Sequence, residues 1–473
     1  MAVHWPELPF ALLVHFAFVL AGLLIYAVGT HASGQRRHPS AALAWVLTIA
    51  LLPYLGLPLY LMLGTRKFSR PPALPVHASH RPLDDTLQSG AMATLQGMGL
   101  APPESHARIC FHPDGQAAWD ELAALINSAQ TQLDICTFVL GNDAHGQHVA
   151  RLLEKRTAEG VRVRLLLDAV GSWRTSGAMV RRLRASGVLV VWYMPVLFNL
   201  LRGRGNMRNH RKLAIADGLR LWSGGRNLAA EYFTGKHHKH PWTDLSFTLE
   251  GPLAAQAEIL FSSHWQHSYG PQTLNHEVPL NLLPATAPLT AGVPMQHLAQ
   301  MVPSGPDQAE DTFSDLLLTA LYRAREQVLA VTPYFVPDEN LLKALCLAAR
   351  RGVQVELIVP THSNHRLADF ARARALRDLE AAGGHVRMAT TMVHAKVVVI
   401  DDALALCGSL NLDARSLFLN YELMVAFYDP QDIAAVTQWI KKNFKHLPSH
   451  HSRQPSLLRD IAEGLVRWLG FQI

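Results

Sequence analysis

The stretch NHRKLAIADGLRLWSGGRN at residues 209–227 is repeated in outline by VHAKVVVIDDALALCGSLN at residues 393–411. When the two histidines are aligned, four further residue types fall at the same offsets, giving the pairs His210/His394, Lys212/Lys396, Asp217/Asp401, Gly224/Gly408 and Asn227/Asn411. Each copy contains a short apolar run, which predicts a buried strand. One His-x-Lys often occurs by chance, but two copies with matching offsets indicate a duplicated site.

The segments around these two copies alternate between helical and strand patterns in the same order. In the first half, the pattern predicts helices at 117–129, 147–159 and 179–185 and strands at 132–140, 161–168 and 188–194. In the second half, it predicts helices at 311–325, 339–351 and 367–382 and strands at 327–336, 353–360 and 396–401. Such alternation is typical of mixed or parallel sheets covered by helices. The sequence therefore predicts two similar α/β domains, and we expect them to form a pseudo-twofold pair.

Two apolar runs precede the first domain. Residues 10–28 carry no charge and are about as long as a bilayer core requires. Residues 41–63 are interrupted by Pro53, Gly56 and Pro58, which predicts either a kinked span or two helices that enter one leaflet. Basic residues flank both sides of the second run, and we favour a hairpin with both ends in the cytoplasm.

These patterns predict four regions. They are a helical membrane anchor at 1–68, a linker at 69–103, a first domain at 104–290 and a second domain at 291–473. The stretch 271–301 is predicted to connect the domains, and residues 457–470 to form a C-terminal amphipathic helix that packs on the core or lies on the bilayer. The formal net charge of +6 suits an anionic partner. Four widely spaced cysteines predict reduced thiols and no disulfide framework.

The repeated polar residues are suited to phosphoryl chemistry. If the two halves face each other, they bring together two imidazoles, two ammonium groups and two amides. The cations and amides neutralise phosphate oxygens, one histidine attacks phosphorus and the other protonates the leaving alcohol. The predicted catalytic set is His210, Lys212, Asp217, His394, Lys396 and Asp401, and the predicted substrate-binding set is Asn227, Asn411, Gly225 and Ser409.

A nucleophilic histidine needs an acceptor on its second ring nitrogen. Asp244 and Glu422 stand at similar distances after the two histidines, and we predict the pairs His210–Asp244 and His394–Glu422. Asp217 and Asp401 lie at the far ends of the repeated strands, a position that favours holding turns over touching substrate. Arg415 is interpreted either as a phosphate ligand or as part of a structural ion pair.

The two copies fit H-x-K-x4-D-x6-G-[SG]-x-N, the signature of the phospholipase D superfamily. The blocks GGRNLAAEYF, PWTDLSFTLEGP, TPYFVPDENLLKAL and NLDARSLFLNYE, together with the paired N-terminal apolar segments, resemble bacterial cardiolipin synthases. The resemblance implies phospholipase D-like α/β/α sandwich domains and a phosphatidyl-histidine intermediate, with no metal or cofactor. It implies His210 as nucleophile and His394 as general acid and then base. The implied reaction transfers a phosphatidyl group between two phosphatidylglycerol molecules and releases glycerol.

The resemblance also implies a bacterial inner-membrane protein with its catalytic domains on the cytoplasmic side. Its expected partners are the lipid bilayer, phosphatidylglycerol and other anionic phospholipids. The first alternative is a membrane-anchored phospholipase D that uses water as the acceptor. A nucleic-acid phosphodiesterase is disfavoured by the apolar runs and by sparse basic clustering, so no nucleic acid is expected. The cluster KHHKH at 236–240 fits a solvated loop better than a metal site, and the motifs leave the oligomeric state open.

Overall fold

In the computed structural model, the described residues are 7–32, 39–64, 86–195, 205–235, 240–269, 296–452, 454–460 and 463. The first half contains a seven-stranded mixed sheet with the order β2-β8-β7-β6-β3-β4-β5. Its strands are β2 (Arg108–His112), β3 (Gln132–Thr137), β4 (Arg162–Asp168), β5 (Leu189–Tyr193), β6 (Leu213–Ala216), β7 (Arg220–Gly224) and β8 (Ser246–Glu250). The pairs β3–β4 and β4–β5 are parallel, and the others are antiparallel.

The second half contains an eight-stranded sheet with the order β1-β9-β17-β15-β14-β10-β12-β13. Its strands are β1 (Glu104–His106), β9 (His297–Ser304), β10 (Gln327–Val331), β12 (Gln354–Pro360), β13 (His385–Ala389), β14 (Val397–Ile400), β15 (Leu404–Gly408) and β17 (Glu422–Phe427). Without β1, its order repeats that of the first sheet strand for strand. A small parallel pair, β11 (Phe335–Val336) and β16 (Leu412–Asp413), lies beside it. The prediction of two similar α/β domains is confirmed.

Helices cover these sheets. The first half contributes α5 (Gly115–Ser128), α6 (Ala144–Ala158), α7 (Gly177–Ala185) and α8 (Pro252–Tyr269). The second half contributes α9 (Thr312–Arg323), α10 (Glu339–Arg350), α11 (Arg366–Ala381), α12 (Ala414–Phe418) and α13 (Pro430–Phe444). In each half, a helix that starts at an aspartate cap ends next to a glycine with positive φ: Asp143 and Gly160 for α6, and Asp338 and Gly352 for α10.

The two sheets share a core. Alternate residues of β14 point to opposite faces, so Val398 and Ile400 pack under the helices of the second half while Val397 and Val399 point the other way. Val397 and Val399 belong to a buried cluster that also contains Ile215 of β6. This central cluster joins both halves, and burying it fixes the two sheets relative to each other.

Parts of the predicted boundaries differ from the structure. In the predicted linker, helix α4 (Leu87–Gly97) buries Ala91 and Leu95 in the core of the second half, because its small apolar residues share one face. Strand β1, predicted to begin the first domain, pairs with β9 of the second sheet. The predicted connector 271–301 ends in β9, and its residues 271–295 lie outside the described residues. Apart from these points, the domain boundaries at 104–290 and 291–473 remain predictions.

Two predicted strands are shorter than expected. The first ends at Thr137 and its counterpart at Val331, because the chain turns at a threonine in both halves. The hydroxyls of Thr137 and Thr332 donate to the carbonyl groups of Val139 and Tyr334 at 3.1 and 2.9 Å. The C-terminal helix predicted at 457–470 lies mostly outside the described residues, as does most of KHHKH at 236–240.

Three apolar helices form the N-terminal region: α1 (Glu7–Ala32), α2 (Pro39–Leu51) and α3 (Pro53–Leu63). Within the described ranges, Leu12–Thr30 in α1 is the one segment long and apolar enough to cross a membrane. The second apolar run is a pair of short helices that separate at Leu52, since Pro53 cannot continue the hydrogen bonding of α2. A Cβ at Gly56 would lie 2.6 Å from the Thr48 carbonyl oxygen, so this glycine permits the close contact between α2 and α3.

Candidate active site

The two His-x-Lys segments lie immediately before strands β6 and β14, so Lys396, predicted to be the first residue of its strand, precedes that strand. The reason is a set of backbone contacts with the other half. Asn209 forms a parallel bridge with Tyr421, and Val393 forms one with Thr243. Each histidine segment therefore pairs with the residues that precede a strand of the opposite sheet.

The backbone hydrogen bonds at these bridges are the same on both sides. The His210 amide donates to the Tyr421 carbonyl at 2.9 Å, and the Tyr421 amide donates to the Arg208 carbonyl at 2.8 Å. On the other side, the His394 amide donates to the Thr243 carbonyl at 2.7 Å, and Thr243 donates to the Met392 carbonyl at 2.9 Å. Each repeat is thus joined to the opposite half by one pair of backbone hydrogen bonds.

The carboxylates are exchanged between the halves. His210 Nδ1 lies 3.0 Å from both carboxylate oxygens of Glu422, and His394 Nδ1 lies 2.8 Å from Asp244 Oδ2. The predicted pairs His210–Asp244 and His394–Glu422 are therefore wrong, although the orienting residues themselves were identified. The bridges explain the exchange, because they place Glu422, the first residue of β17, and Asp244, two residues before β8, beside the histidine of the opposite half.

Each carboxylate fixes one tautomer of its imidazole. A proton on Nδ1 is donated in a hydrogen bond to the carboxylate, which leaves Nε2 as the unprotonated ring nitrogen. Burial lowers the pKa of His210 to about 4, against the opposing charge of Glu422. Burial likewise lowers the pKa of His394 to about 3, with the ammonium of Lys396 acting in the same direction. Both imidazoles are neutral at physiological pH in the free protein, as a nucleophile requires.

The two lysines are almost fully buried, with 1% of Lys212 and 2% of Lys396 exposed. The Lys212 ammonium donates to the His210 carbonyl, and the Lys396 ammonium lies 3.1 Å from His394 Nε2. Burial lowers the pKa of Lys212 to about 7 and that of Lys396 to about 8. Their mutual repulsion lowers the pKa of Lys212 further, so both ammonium groups belong to one electrostatic cluster that would be stabilised by an anion.

The carboxylates complete the cluster. Asp244 and Glu422 are buried, which by itself raises their pKa values. The hydrogen bonds from the imidazoles and the nearby ammonium charges outweigh this effect, so the pKa of each lies below its ordinary value. The arrangement of two imidazoles, two ammonium groups and two ionised carboxylates fits the binding of a phosphodiester and its transfer between histidine and alcohol.

Asp217 and Asp401 are turn residues, which corrects their place in the predicted catalytic set. Both have positive φ, and each carboxylate accepts three consecutive backbone amides. For Asp217 the donors are residues 130–132, at 2.7 to 2.9 Å, and for Asp401 they are residues 325–327, at 2.9 to 3.0 Å. Each aspartate ties the far end of a repeated strand to the start of β3 or β10, away from the histidines.

Gly225 and Ser409 both lie against the carboxylates that contact the histidines. The Ser409 hydroxyl donates to Glu422 Oε2 at 2.5 Å and accepts the Leu423 amide at 2.9 Å. A Cβ at Gly225 would lie 2.2 Å from Asp244 Oδ1, so a serine does not fit there without displacing Asp244. The glycine of the first repeat thus stands beside an aspartate, and the serine of the second repeat beside a glutamate.

The two asparagines differ in their partners. Asn227 accepts the Val139 amide at 3.2 Å and donates to the Tyr232 hydroxyl at 2.8 Å. Asn411 donates to the Ser416 hydroxyl at 3.2 Å, and its buried Oδ1 has no hydrogen-bond partner within the described part of the chain. Asn411 thus keeps a polar atom available in the site, whereas Asn227 does not.

Sequence reasoning missed Arg211, the middle residue of the first His-x-Lys. Its guanidinium is buried and donates to the Glu422 carbonyl at 2.9 Å. It also contacts His264 and forms an ion pair with Asp307 at 3.2 Å. The second repeat has alanine at this position, Ala395. The signal that could have identified Arg211 is its charge, because the second copy has no charged residue at this position.

Aromatic residues around the histidines were also missed. Phe138 packs against His210 edge to face, with ring centroids 5.0 Å apart. His394 contacts two rings, Tyr232 at 5.0 Å and Trp242 at 5.5 Å. The His394 side chain is correspondingly less exposed than that of His210, 5% against 12%.

The chain matches known families along most of its length. The family described as "Cardiolipin synthase, PLD-like domain" matches residues 122–265 and 317–447, and "Phospholipase_D-nuclease N-terminal" matches residues 20–64. The chain belongs to the cardiolipin synthase family of phospholipase D-like proteins. The two matched ranges contain most strands of the two sheets, one range for each sheet, and the match confirms the resemblance drawn from the repeated motif.

Individual relatives agree with this family. The chain is 31% identical to cardiolipin synthase A of Pseudomonas entomophila, over 96% of each chain. It is 27% identical to a cardiolipin synthase of Geobacillus kaustophilus, over 95% of this chain and 92% of the relative. The crystal structure of phosphatidylserine synthase from Haemophilus influenzae aligns with a TM-score of 0.61 at 15% identity, covering 81% of this chain and all of that one. That last similarity confirms the phospholipase D-like fold.

Proposed function

We propose that this protein is a membrane-bound cardiolipin synthase that transfers a phosphatidyl group from one phosphatidylglycerol to a glycerol hydroxyl of another. The observation that supports this most directly is the crossed pair of histidine–carboxylate contacts beside two buried lysines. Membership of the cardiolipin synthase family supports the choice of phospholipid as the substrate class. The same site would serve a phosphodiester of any lipid, so phosphatidylglycerol is part of the proposal.

In the proposed first step, His210 Nε2 attacks phosphorus and the bond from phosphorus to the glycerol oxygen breaks. His394 supplies the proton that this oxygen takes up. In the free protein His394 is neutral, but a bound phosphodiester brings negative charge close to the imidazole and favours its protonation. Lys212 and Lys396 neutralise the phosphate oxygens as the transition state forms.

In the second step, the hydroxyl of another phosphatidylglycerol attacks the phosphatidyl-histidine. A new oxygen–phosphorus bond forms, the bond between nitrogen and phosphorus breaks, and the hydroxyl proton passes to neutral His394. Each histidine returns to its starting state, and the net products are cardiolipin and glycerol. Glu422 and Asp244 keep both rings in the required tautomer throughout.

We further propose that the catalytic halves lie on the cytoplasmic side of a bacterial inner membrane. The apolar helix α1 supports membrane association. The Gly205 amide, which precedes His210 closely in sequence, donates to the Met62 carbonyl in α3 at 3.1 Å. This contact brings the apolar N-terminal region next to the chain that leads into the site. Labelling of single engineered cysteines in intact and permeabilised cells would test the orientation.

The activity is tested with the purified full chain in phosphatidylglycerol vesicles. We expect cardiolipin and glycerol in equal amounts, and no product from His210→Ala. Phosphatidic acid as the sole lipid product would contradict the proposal and support hydrolysis.

The two histidine roles are tested with a lipid that carries p-nitrophenol as its headgroup, since this leaving group needs no proton. His394→Ala should then still form a covalent phosphatidyl-enzyme, and His210→Ala should not. A covalent label found on His394 of the wild-type protein would reverse the two roles.

A further inference from the structure

Two arginines on the His210 side of the site have no basic counterparts on the His394 side. The residue two positions before the histidine is Arg208 in the first half and Met392 in the second. The residue four positions after the motif asparagine is Arg415 in the second half and Glu231 in the first. Because the halves cross, Arg208 and Arg415 come together, close enough for their charges to lower the pKa of Arg415 in addition to the larger effect of burial.

Both guanidinium groups are bonded to the same stretch of chain. Arg415 forms two hydrogen bonds with Asn206. Its Nη1 donates to the side-chain oxygen at 2.8 Å, and its Nη2 donates to the backbone carbonyl at 2.9 Å. Arg208 donates to the carbonyl groups of Met194, at 2.9 Å, and Gly205. These contacts hold the arginines in place and use only part of their donor capacity, since a guanidinium has five N–H groups.

Neither arginine forms an ion pair with any residue in the described ranges, although only 7% of Arg208 is exposed. A nearby carboxylate, Asp168, already accepts the amides of Val170, Gly171 and Asn209 at 2.9 Å each. The stretch 196–204, which joins β5 to this region, contains no aspartate or glutamate. Arg208 is buried and Arg415 is half-buried. Cations withdrawn from water are normally paired, so two adjacent ones without an ion pair among the described residues indicate a site for an anion.

The position of the arginines relates this anion to the reaction. The Tyr421 amide donates to the Arg208 carbonyl, and the Tyr421 carbonyl accepts the His210 amide. Arg208 and Arg415 therefore adjoin the histidine site. On their other side, Gly205 contacts Met62 in the apolar N-terminal region. The arginines therefore lie between the reacting histidines and the segment that we place in the membrane, where a second lipid would enter.

We propose that Arg208 and Arg415 bind the phosphodiester of the acceptor phospholipid, an inference that rests on the proposed function. Transfer between two phosphatidylglycerol molecules requires two phosphates in the site, separated by one glycerol unit. The histidines and lysines hold the phosphate that is transferred. The arginine pair holds the second phosphate, which the acceptor brings with it and the product retains. Water and small neutral alcohols carry no such charge and gain nothing from the pair.

The test compares an anionic lipid acceptor with a neutral one in the same sample. The full chain is placed in phosphatidylglycerol vesicles with added ethanol, and cardiolipin and phosphatidylethanol are measured together. Both products come from one covalent intermediate, so their ratio reports the acceptor alone. We expect Arg415→Gln and Arg208→Gln each to lower the ratio of cardiolipin to phosphatidylethanol at least about tenfold, the size expected for a lost charge-assisted hydrogen-bond pair. Arg415→Lys should lower it less.

Glu231→Gln is the matched control, because it changes a charge at the position equivalent to Arg415. We expect its product ratio to equal that of the wild type. Equal losses of both products in Arg415→Gln and Arg415→Lys, or an unchanged ratio in either glutamine variant, would overturn the inference. If the wild-type protein makes phosphatidylethanol and phosphatidic acid but no cardiolipin, the proposed function itself fails, a result distinct from any change caused by the arginine variants.

Discussion

The His210 side and the His394 side of the site follow one plan but hold their imidazoles differently. His210 Nδ1 has two kinds of acceptor, the Glu422 carboxylate and the Ser409 carbonyl at 3.1 Å. For His394 Nδ1 the acceptor is the Asp244 carboxylate, and the ring is enclosed by Tyr232 and Trp242. Two copies of one motif have thus become two environments, one more open and doubly supported, the other enclosed and dependent on a single carboxylate.

This difference predicts unequal effects when the carboxylates are neutralised. Asp244→Asn should lower kcat by about 10³- to 10⁴-fold, comparable to the loss of the orienting aspartate in a catalytic triad. Glu422→Gln should lower it about tenfold less, because the Ser409 carbonyl still selects the Nδ1–H tautomer of His210. Steady-state rates on phosphatidylglycerol vesicles measure both variants. Equal losses would mean that the second acceptor does not support His210.

The exchange at Gly225 and Ser409 predicts a second asymmetry. Gly225→Ser places a side chain against Asp244 and should displace that carboxylate from His394, lowering kcat by about 10²-fold. Ser409→Gly removes one hydrogen bond to Glu422 and should cost less than about tenfold. Thermal melting of Gly225→Ser checks that the loss of kcat does not come from unfolding. Full activity in Gly225→Ser would show that Asp244 can move without consequence.

The buried lysines predict the direction of the pH dependence. Both must be charged to bind phosphate, and burial lowers their pKa values to about 7 and about 8. We therefore expect kcat/KM to fall as pH rises through 7 to 9. Burial lowers the pKa of His394 to about 3, and the first step needs this imidazole protonated, so kcat/KM should already fall as pH rises from about 5 to 7, and fall more steeply once the lysines lose their protons.

Replacing a lysine with an always-charged group tests this assignment. Lys212→Arg should shift the alkaline decline of kcat/KM to higher pH, even if the maximum is lower, because guanidinium does not titrate in this range. The wild-type and variant profiles are compared in the same vesicles. An unchanged alkaline decline in Lys212→Arg and in Lys396→Arg would assign it to another group.

The sequence predicted the paired strands, the repeated site and the turn role of Asp217 and Asp401, since these depend on local patterns repeated at equal offsets. It did not predict which carboxylate meets which histidine. His210 and Glu422 are 212 residues apart, and their contact depends on how two complete sheets dock. From the sequence alone, the expected partner of each histidine is the carboxylate at the start of the strand that follows it in the same half. The crossed bridges at Tyr421 and Thr243 reverse that choice through backbone contacts, which leave no signal in residue type.

Arg211 illustrates the same limit from the other direction. Its position between His210 and Lys212 is visible in the sequence, but its partners, His264 and Asp307, come from α8 and from the chain after β9. A charged residue can be buried here because those partners surround it. The motif alone does not predict whether the Arg211 side chain is exposed or buried.

The smallest expected effect on catalysis is at the far ends of the repeated strands. Asp217→Asn and Asp401→Asn keep the size of the side chain but weaken hydrogen bonds from three backbone amides. We expect each to lower the free energy of unfolding by about 1 to 3 kcal/mol, the range for hydrogen bonds to a charged group, while kcat of the folded protein changes less than about twofold. Denaturant unfolding in detergent and kcat at saturating lipid give the two values. Because both aspartates hold the same turn in topologically equivalent sheets, their losses of stability should match, unlike the unequal losses at Asp244 and Glu422. A large fall in kcat with unchanged stability would return these aspartates to the catalytic set.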